Sequence, residues 1–256
     1  MNPAQLNTMV EAKLKELAQE TDNVKKSEFF QNYLDTMSKF WKYSWHNQML
    51  IHCALPAATR VAGFKAWNSL GRYVKKGEKS IRILAPVVKD VDGQEEVVNY
   101  MPVSVFDVSQ TEGKELPDID IEVTGNDAEQ LYEKLVWFCR SKGISFDLQK
   151  LGVNGLYGYS TGGKIVLAED GSYNMKVNTL VHEIAHELLH YSEDGKKLSR
   201  NQKEIQAEAT AYVVCKHLGL ETKSFNYLAL YDADYKKIMG NLSAVSVAAK
   251  EVIGFV

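Results

Sequence analysis

Val177-Asn-Thr-Leu-Val-His182-Glu183-Ile-Ala-His186-Glu-Leu-Leu-His190 has the residue pattern of a helix and decides how this chain is read. Two histidines four apart on a helix stand one above the other, with about 5–6 Å between Cβ atoms. Both imidazoles can then reach a single zinc ion at roughly 2.0–2.1 Å. Glu183, next to the first histidine, is placed to take a proton from a water at the ion's open position. This is the arrangement by which a metal-dependent peptidase makes a hydroxide nucleophile near neutral pH without an activated serine or cysteine. Three fixed letters turn up by accident in roughly one chain of this length in a hundred, so the setting of the motif carries much of its weight.

A site of this kind needs a third protein ligand. After a polar, Lys-rich turn (Glu193 to Ser199) a second helical pattern runs from about Asn201 to Leu218 and closes at Gly219. Glu204 and Glu208 lie four apart on it and share a face, while Ile205, Ala209 and Val213 form the adjoining apolar one. Ala207, Ala209 and Ala211 allow close approach of two helices. A carboxylate from this helix completes a His-His-Glu set with one position left to water. Glu204 is the expected ligand and Glu208 the acceptor for a ligand histidine N–H, with the reverse assignment left open. Taken singly, histidines on a half-apolar helix and paired glutamates are ordinary core or surface residues. Their joint spacing is what points to a metal. His190 lies two turns beyond His182, about 12 Å along the axis. It cannot reach the same ion and reads as structural, or as a C-terminal charge favoured by the helix dipole.

The 256 residues suffice for two modest domains, and 45% apolar with 25% charged residues is ordinary for a globular protein. No run approaches the roughly 20 apolar residues that span a bilayer, and the N-terminus carries no secretory pattern. Cys53, Cys139 and Cys215 fall singly within helical patterns. They read as buried free thiols in a reducing compartment, so the expected location is cytoplasmic. Between Pro56 and Lys89 eight basic residues face one acid, Glu78, a local charge of +7 that leaves −10 for the rest of a chain totalling −3. One region therefore suits an anionic partner.

The fold class expected is α+β in two domains. Residues 1–112 begin with helices (Gln5–Gln19, Ser27–Phe40, and one capped by Ser44). A short strand from Thr59, a short helix from Phe64 closed by Gly71, and two strands joined by an Asp92-Gly93 hairpin turn follow. A polar stretch, 113–126, is the linker. Residues 127–256 open with a helix to Lys142, continue with a hairpin around Thr161-Gly-Gly, and add the two histidine and glutamate helices. Two further helices are expected at about Phe225–Met239 and Leu242–Ile253. A strand just ahead of the histidine helix can pair with an extended peptide and align its scissile bond.

Pro56 to Pro86, with Val105-Phe-Asp-Val-Ser-Gln-Thr111, resembles the N-terminal domain of ArdC-type antirestriction proteins. Gly163-Lys-Ile-Val-Leu-Ala168, the His182–His190 stretch and Glu204-Ile-Gln-Ala-Glu208 are similar to the zincin-like (gluzincin) domain of that family and of ImmA/IrrE-type peptidases. The resemblance implies an N-terminal domain binding single-stranded DNA and a C-terminal zinc metallopeptidase-like domain, usually carried on plasmids, phages and conjugative elements. It makes His182, His186 and Glu204 metal ligands and Glu183 the general base. Many zincins of this group have Asn or Asp four residues after the third ligand, where this chain has Glu208.

Sequence-tolerant binding of single strands wants cations for phosphates and aromatic faces for bases. Arg72, Lys75, Lys76, Lys79 and Arg82 supply cations, and Tyr73 a stacking face. Trp67, three residues after Phe64, reads more naturally as core. The function expected is a zinc-dependent, metallopeptidase-like antirestriction protein that binds single-stranded DNA, with an unnamed protein or peptide substrate and no membrane partner. Two alternatives stand beside it. One is a non-catalytic DNA-protection or protein-binding module in which zinc ties two helices together. The other is a protease that cleaves a repressor of a mobile element.

Overall fold

The structure, a computed structural model, describes residues 1–20, 22–91, 94–116, 127–152, 156–220 and 235–256. Its first helix, α1 (Pro3–Gln19), starts at an Asn2–Gln5 capping box with proline in the first turn, and buries Leu6, Val10, Leu14 and Leu17 along one face. Helix α2 (Asn23–Lys39) and α3 (Trp45–Ala54, capped by Ser44) follow. A small antiparallel sheet comes next. In it, β1 (Val61–Gly63) and the long β3 (Ile81–Val91) flank β4 (Gln94–Asp107). Between β1 and β3 lie α4 (Phe64–Ser69) and β2 (Arg72–Val74). The strand pair β3–β4 forms the expected hairpin, while its Asp92-Gly93 turn lies outside the described residues.

β2 pairs antiparallel with β5 (Thr111–Gly113), so Gly113, which reads from the sequence as the start of a linker, is the last residue of a strand. Its polarity hides it, because a two-stranded ribbon needs backbone partners more than apolar side chains. Residues 117–126 of the expected linker lie outside the described residues.

The second half opens with α5 (Asp127–Ser141). A three-stranded sheet follows in the order β6 (Ser145–Gln149), β8 (Lys164–Ala168), β7 (Gly158–Ser160). The β7–β8 pair is the expected hairpin. β6 is an addition to the expected elements. It runs parallel to β8, a pairing that carries no local turn signal in the sequence. Helix α6 (Tyr173–Leu189), a single turn α7 (Glu193–Lys196), α8 (Arg200–His217) and α9 (Tyr235–Ile253) complete the chain. The expected break after Met239 is absent: α9 runs through Gly240 because its apolar face (Ile238, Leu242, Val245, Val252) is continuous. Residues 225–234 of that expected helix lie outside the described residues.

The helices of the first half are the back wall of the second. Buried residues of α1, α2 and α3 share one apolar cluster with those of α5, α6, α8 and α9. Polar contacts fasten the seam: Tyr212 donates to Asp35, and Ser246 Oγ donates to Gln48 Oε1 at 3.2 Å. Cys139 and Cys215 are buried thiols, but Cys53 is exposed, which corrects its expected burial. No helix among the described residues is long and apolar enough to cross a membrane.

Candidate metal centre

Helix α6 starts where Ser172 accepts a hydrogen bond from Met175 N–H, and α8 at a Ser199–Gln202 capping box. Val177, Leu180, Val181, Ile184 and Ala185 fill the core side of α6. That leaves His182 and His186 facing the partly open side, where α8 crosses. Ala207 and Ala211, both fully buried, keep α8 close.

Three donor atoms converge there. His182 Nε2 and His186 Nε2 lie 3.0 Å apart. Glu204 Oε2 lies 3.5 Å from the first and 3.8 Å from the second. Ligand atoms of these three residues all fall within 4.8 Å of one another. Glu208, one turn on, sits on the other side of the imidazole, with Oε1 3.9 Å from His182 Nδ1. Burial lowers the pKa of both histidines to about 4, so each is a neutral imidazole with a lone pair to offer.

Glu183 is the most enclosed acid of the group, 7% exposed. Burial pushes its carboxyl up to about 7, a hydrogen bond from Ser160 on β7 opposes this, and the charges of Glu204 and Glu187 add to it. A carboxyl that titrates near neutrality is poised to take up and give back a proton. Burial, then the Glu204 charge, likewise raises Glu208 to about 7.

These groups lie in a cleft of about 650 Å³ whose far wall is β7 with Leu156 and Tyr157. Among the described residues β7 is an edge strand, paired only to β8. Gly158 allows it to lie close over α6: a Cβ there would come within 2.5 Å of Leu167 Cδ2 and 2.8 Å of Thr179 Cγ2. Glu187 on α6 fixes the neighbouring turn, its carboxylate accepting from Gly162 N–H at 2.9 Å and Gly163 N–H at 2.7 Å. Both glycines hold positive φ, 80° and 95°. Tyr157, Tyr159 and Tyr191 all line the cleft, and Tyr191 Oη lies 3.4 Å from Ser160 Oγ.

His190 reads from the sequence as a bystander, yet it is 3% exposed and touches the site from behind, its Nδ1 2.8 Å from His186 Nδ1. The signal is present in the repeated four-residue spacing, 182, 186, 190. Gln206, which meets His190 Nε2 at 3.1 Å, carries no signal of its own.

The basic block is arranged differently. Arg72 donates to Thr111 Oγ1 (2.8 Å), Lys114 O (2.6 Å) and Thr111 O (3.1 Å), clamping β5. Arg82 donates to Ser104 Oγ at 2.7 Å across the β3–β4 pair, and Lys75 to Ser109 O at 3.0 Å. Lys76 and Lys79 are exposed on the turn between β2 and β3, and Tyr73 is 58% exposed. Trp67 is core, 2% exposed, with Nε1–H donating to Phe106 O at 2.9 Å.

Residues 4–121 match the family described as the N-terminal domain of anti-restriction factor ArdC. That segment is thus similar to an ArdC N-terminal domain. Two solved structures of the antirestriction ArdC protein from plasmid R388 share the wider fold. The metal-free one covers 82% of this chain and 84% of its own, at 17% identity and a TM-score of 0.51. The Mn(II)-bound one covers 82% and 87%, at 17% identity and a TM-score of 0.50. The mixed α+β architecture is thus ArdC-like. The uncharacterized protein pXO2-81 of Bacillus anthracis is 27% identical over 242 residues, 75% of this chain; the chain spans only 41% of that relative's length.

Proposed function

We propose that this chain is an ArdC-type antirestriction protein that binds single-stranded DNA through residues 1–112 and holds one divalent metal in residues 127–256 for peptide hydrolysis. The observation that carries the metal half is the convergence of His182, His186 and Glu204 within 4.8 Å, on two helices packed by buried alanines. Two neutral imidazoles and a carboxylate fit zinc, and also fit manganese, the metal bound by the R388 protein.

When bound, the cation supplies Lewis acidity to a carbonyl and acidifies a water. The chain's own residues do the rest. The edge of β7 pairs with an extended peptide and lays the scissile bond across the cleft. Glu183 takes the proton released by the attacking water and returns it to the leaving amine. Glu208 Oε1, 3.9 Å from His182 Nδ1, would favour a hydrogen on that nitrogen and so leave Nε2 free for the cation. For the DNA half, Lys76 and Lys79 are exposed on one turn and Tyr73 is exposed on the preceding strand, which offers charge and a stacking face together.

Elemental analysis of the purified protein, supplied with zinc or manganese, tests the reading, with Glu204→Ala and Glu208→Ala alongside. The expected result is about one metal per chain in the wild type and in Glu208→Ala, and loss in Glu204→Ala. Loss in Glu208→Ala alone exchanges the two roles. A wild type that takes up neither metal sinks the metal centre and leaves only the DNA-binding half.

A further inference from the structure

Behind the metal centre runs a buried chain of side chains that reaches neither the cleft nor solvent. Asn241 of α9 is 5% exposed, Gln206 of α8 4% and His190 3%. Gln206 Nε2 donates to Asn241 Oδ1 at 2.8 Å, which turns the other end of the amide, Oε1, toward His190 Nε2 at 3.1 Å. A carbonyl oxygen only accepts, so His190 Nε2 must carry a hydrogen. The neutral ring then has its lone pair on Nδ1. That atom faces His186 Nδ1 at 2.8 Å, and two N–H groups cannot meet at this distance. His186 must therefore donate from Nδ1, and its own lone pair falls on Nε2, the atom that faces His182 Nε2 and Glu204 Oε2.

We propose that Asn241, Gln206 and His190 are positioning residues that lock His186 in its Nδ1–H form before any metal arrives, presenting Nε2 as a ready ligand. The inference rests on the metal-centre reading for its purpose, but the tautomer it assigns exists in the metal-free protein. A free imidazole favours neither orientation enough to fix it, and an imidazole in the wrong form must shift its proton and give up a buried hydrogen bond before it can bind. The chain ends on α9, which packs on α1 through the apolar cluster of the N-terminal half. The hydrogen-bond polarity at the metal is thus set by an element outside the two helices that carry the ligands.

The test uses full-length protein with 15N-labelled histidine, stripped with a chelator, and long-range 1H–15N spectra assigned with His186→Gln and His190→Gln. The wild type should show His186 with a protonated Nδ1 and a bare Nε2, and His190 with the opposite pattern. Gln206→Leu, close in size but unable to accept, should give mixed His186 forms and roughly ten- to hundredfold weaker zinc binding by chelator competition. Gln206→Glu restores the acceptor and should recover most of both. A wild-type His186 protonated on Nε2 overturns the proposal without help from any variant. Zinc affinity unchanged in both Gln206→Leu and His190→Phe overturns it as well. Failure of the wild type to bind zinc, with His186 still in the Nδ1–H form, would sink the metal reading and leave the relay standing.

Discussion

The α6–α8 cleft and the basic block around β2 and β3 both gather ionisable side chains, and they use them in opposite ways. In the cleft, His182, His186 and Glu204 bring ligand atoms together within 4.8 Å of one another. In the block, Arg72 and Arg82 direct their donors to Thr111, Lys114 and Ser104, holding strands together. Of the six residues singled out there, Lys76, Lys79 and Tyr73 stand exposed, with no backbone carbonyl claiming their side chains among the described residues. Convergence on one point marks chemistry, whereas charge directed into a neighbouring strand marks structure.

The largest expected effect falls on Glu183. Glu183→Gln should lower peptide hydrolysis on the order of 10²–10⁴-fold while metal content stays at the wild-type level. Metal lost together with activity would make Glu183 a structural member of the site rather than its base.

The same residue predicts a pH dependence. Its carboxyl is raised from 4.5 to about 7 in the folded protein, chiefly by burial. The stability linked to it is fully present below the unfolded value, and is lost as pH climbs through about 7. Glu183→Gln removes that loss. In chelator-treated protein the variant should gain on the wild type by up to about 3 kcal/mol between pH 4.5 and pH 8. The lowered histidines act in the other direction, but they are common to both proteins and drop out of the difference. A pH-independent difference in denaturant midpoints would mean that Glu183 is already ionised in the cleft.

In the basic block, Tyr73→Ala should weaken single-stranded DNA binding by about 1–3 kcal/mol if a base stacks there. Lys76→Ala and Lys79→Ala should each flatten the salt dependence, by about 0.7 in log–log slope for every phosphate no longer neutralised. Arg72→Ala should instead destabilise the β2–β5 pair, seen as a lower denaturant midpoint. The contrast between strand-holding and free-standing charge in the block breaks if Arg72→Ala weakens DNA binding without loss of stability while the lysine variants do nothing.

The two regions also differ in what the sequence discloses. A helix repeats every 3.6 residues, so the letters 182, 183, 186, 204 and 208 place side chains on known faces without tertiary information. The centre is legible for that reason. Which partner a cation meets depends on strand pairing: Arg72 meets β5, a three-residue strand with no apolar pattern, and Arg82 meets Ser104 on β4, so neither duty is legible. His190 escapes for a related reason. Its distance from His182 follows from the helix alone, but the role it holds depends on Gln206 and Asn241, brought to it by packing of α8 and α9. The parallel strand β6 and the unbroken α9 escape the sequence because long-range pairing and a continuous buried face outweigh local turn and glycine signals.

The smallest effect tests the wall of the cleft opposite the ligands. Glu187 accepts two N–H groups at the Gly162–Gly163 turn and so sets the height of β7 above α6. Glutamine keeps the length but offers one acceptor oxygen, and its amide N–H₂ would confront a backbone N–H. The turn is solvent-exposed, so Glu187→Gln should cost no more than about 1 kcal/mol of stability. If β7 receives the peptide by strand pairing, KM should rise several-fold with kcat nearly unchanged, because uniform binding is lost and the reacting groups are not moved. A fall in kcat at constant KM would place Glu187 with Glu183, acting on its charge from one turn along α6. An unchanged KM with lowered stability would show that β7 only roofs the site, and that substrate enters against α8.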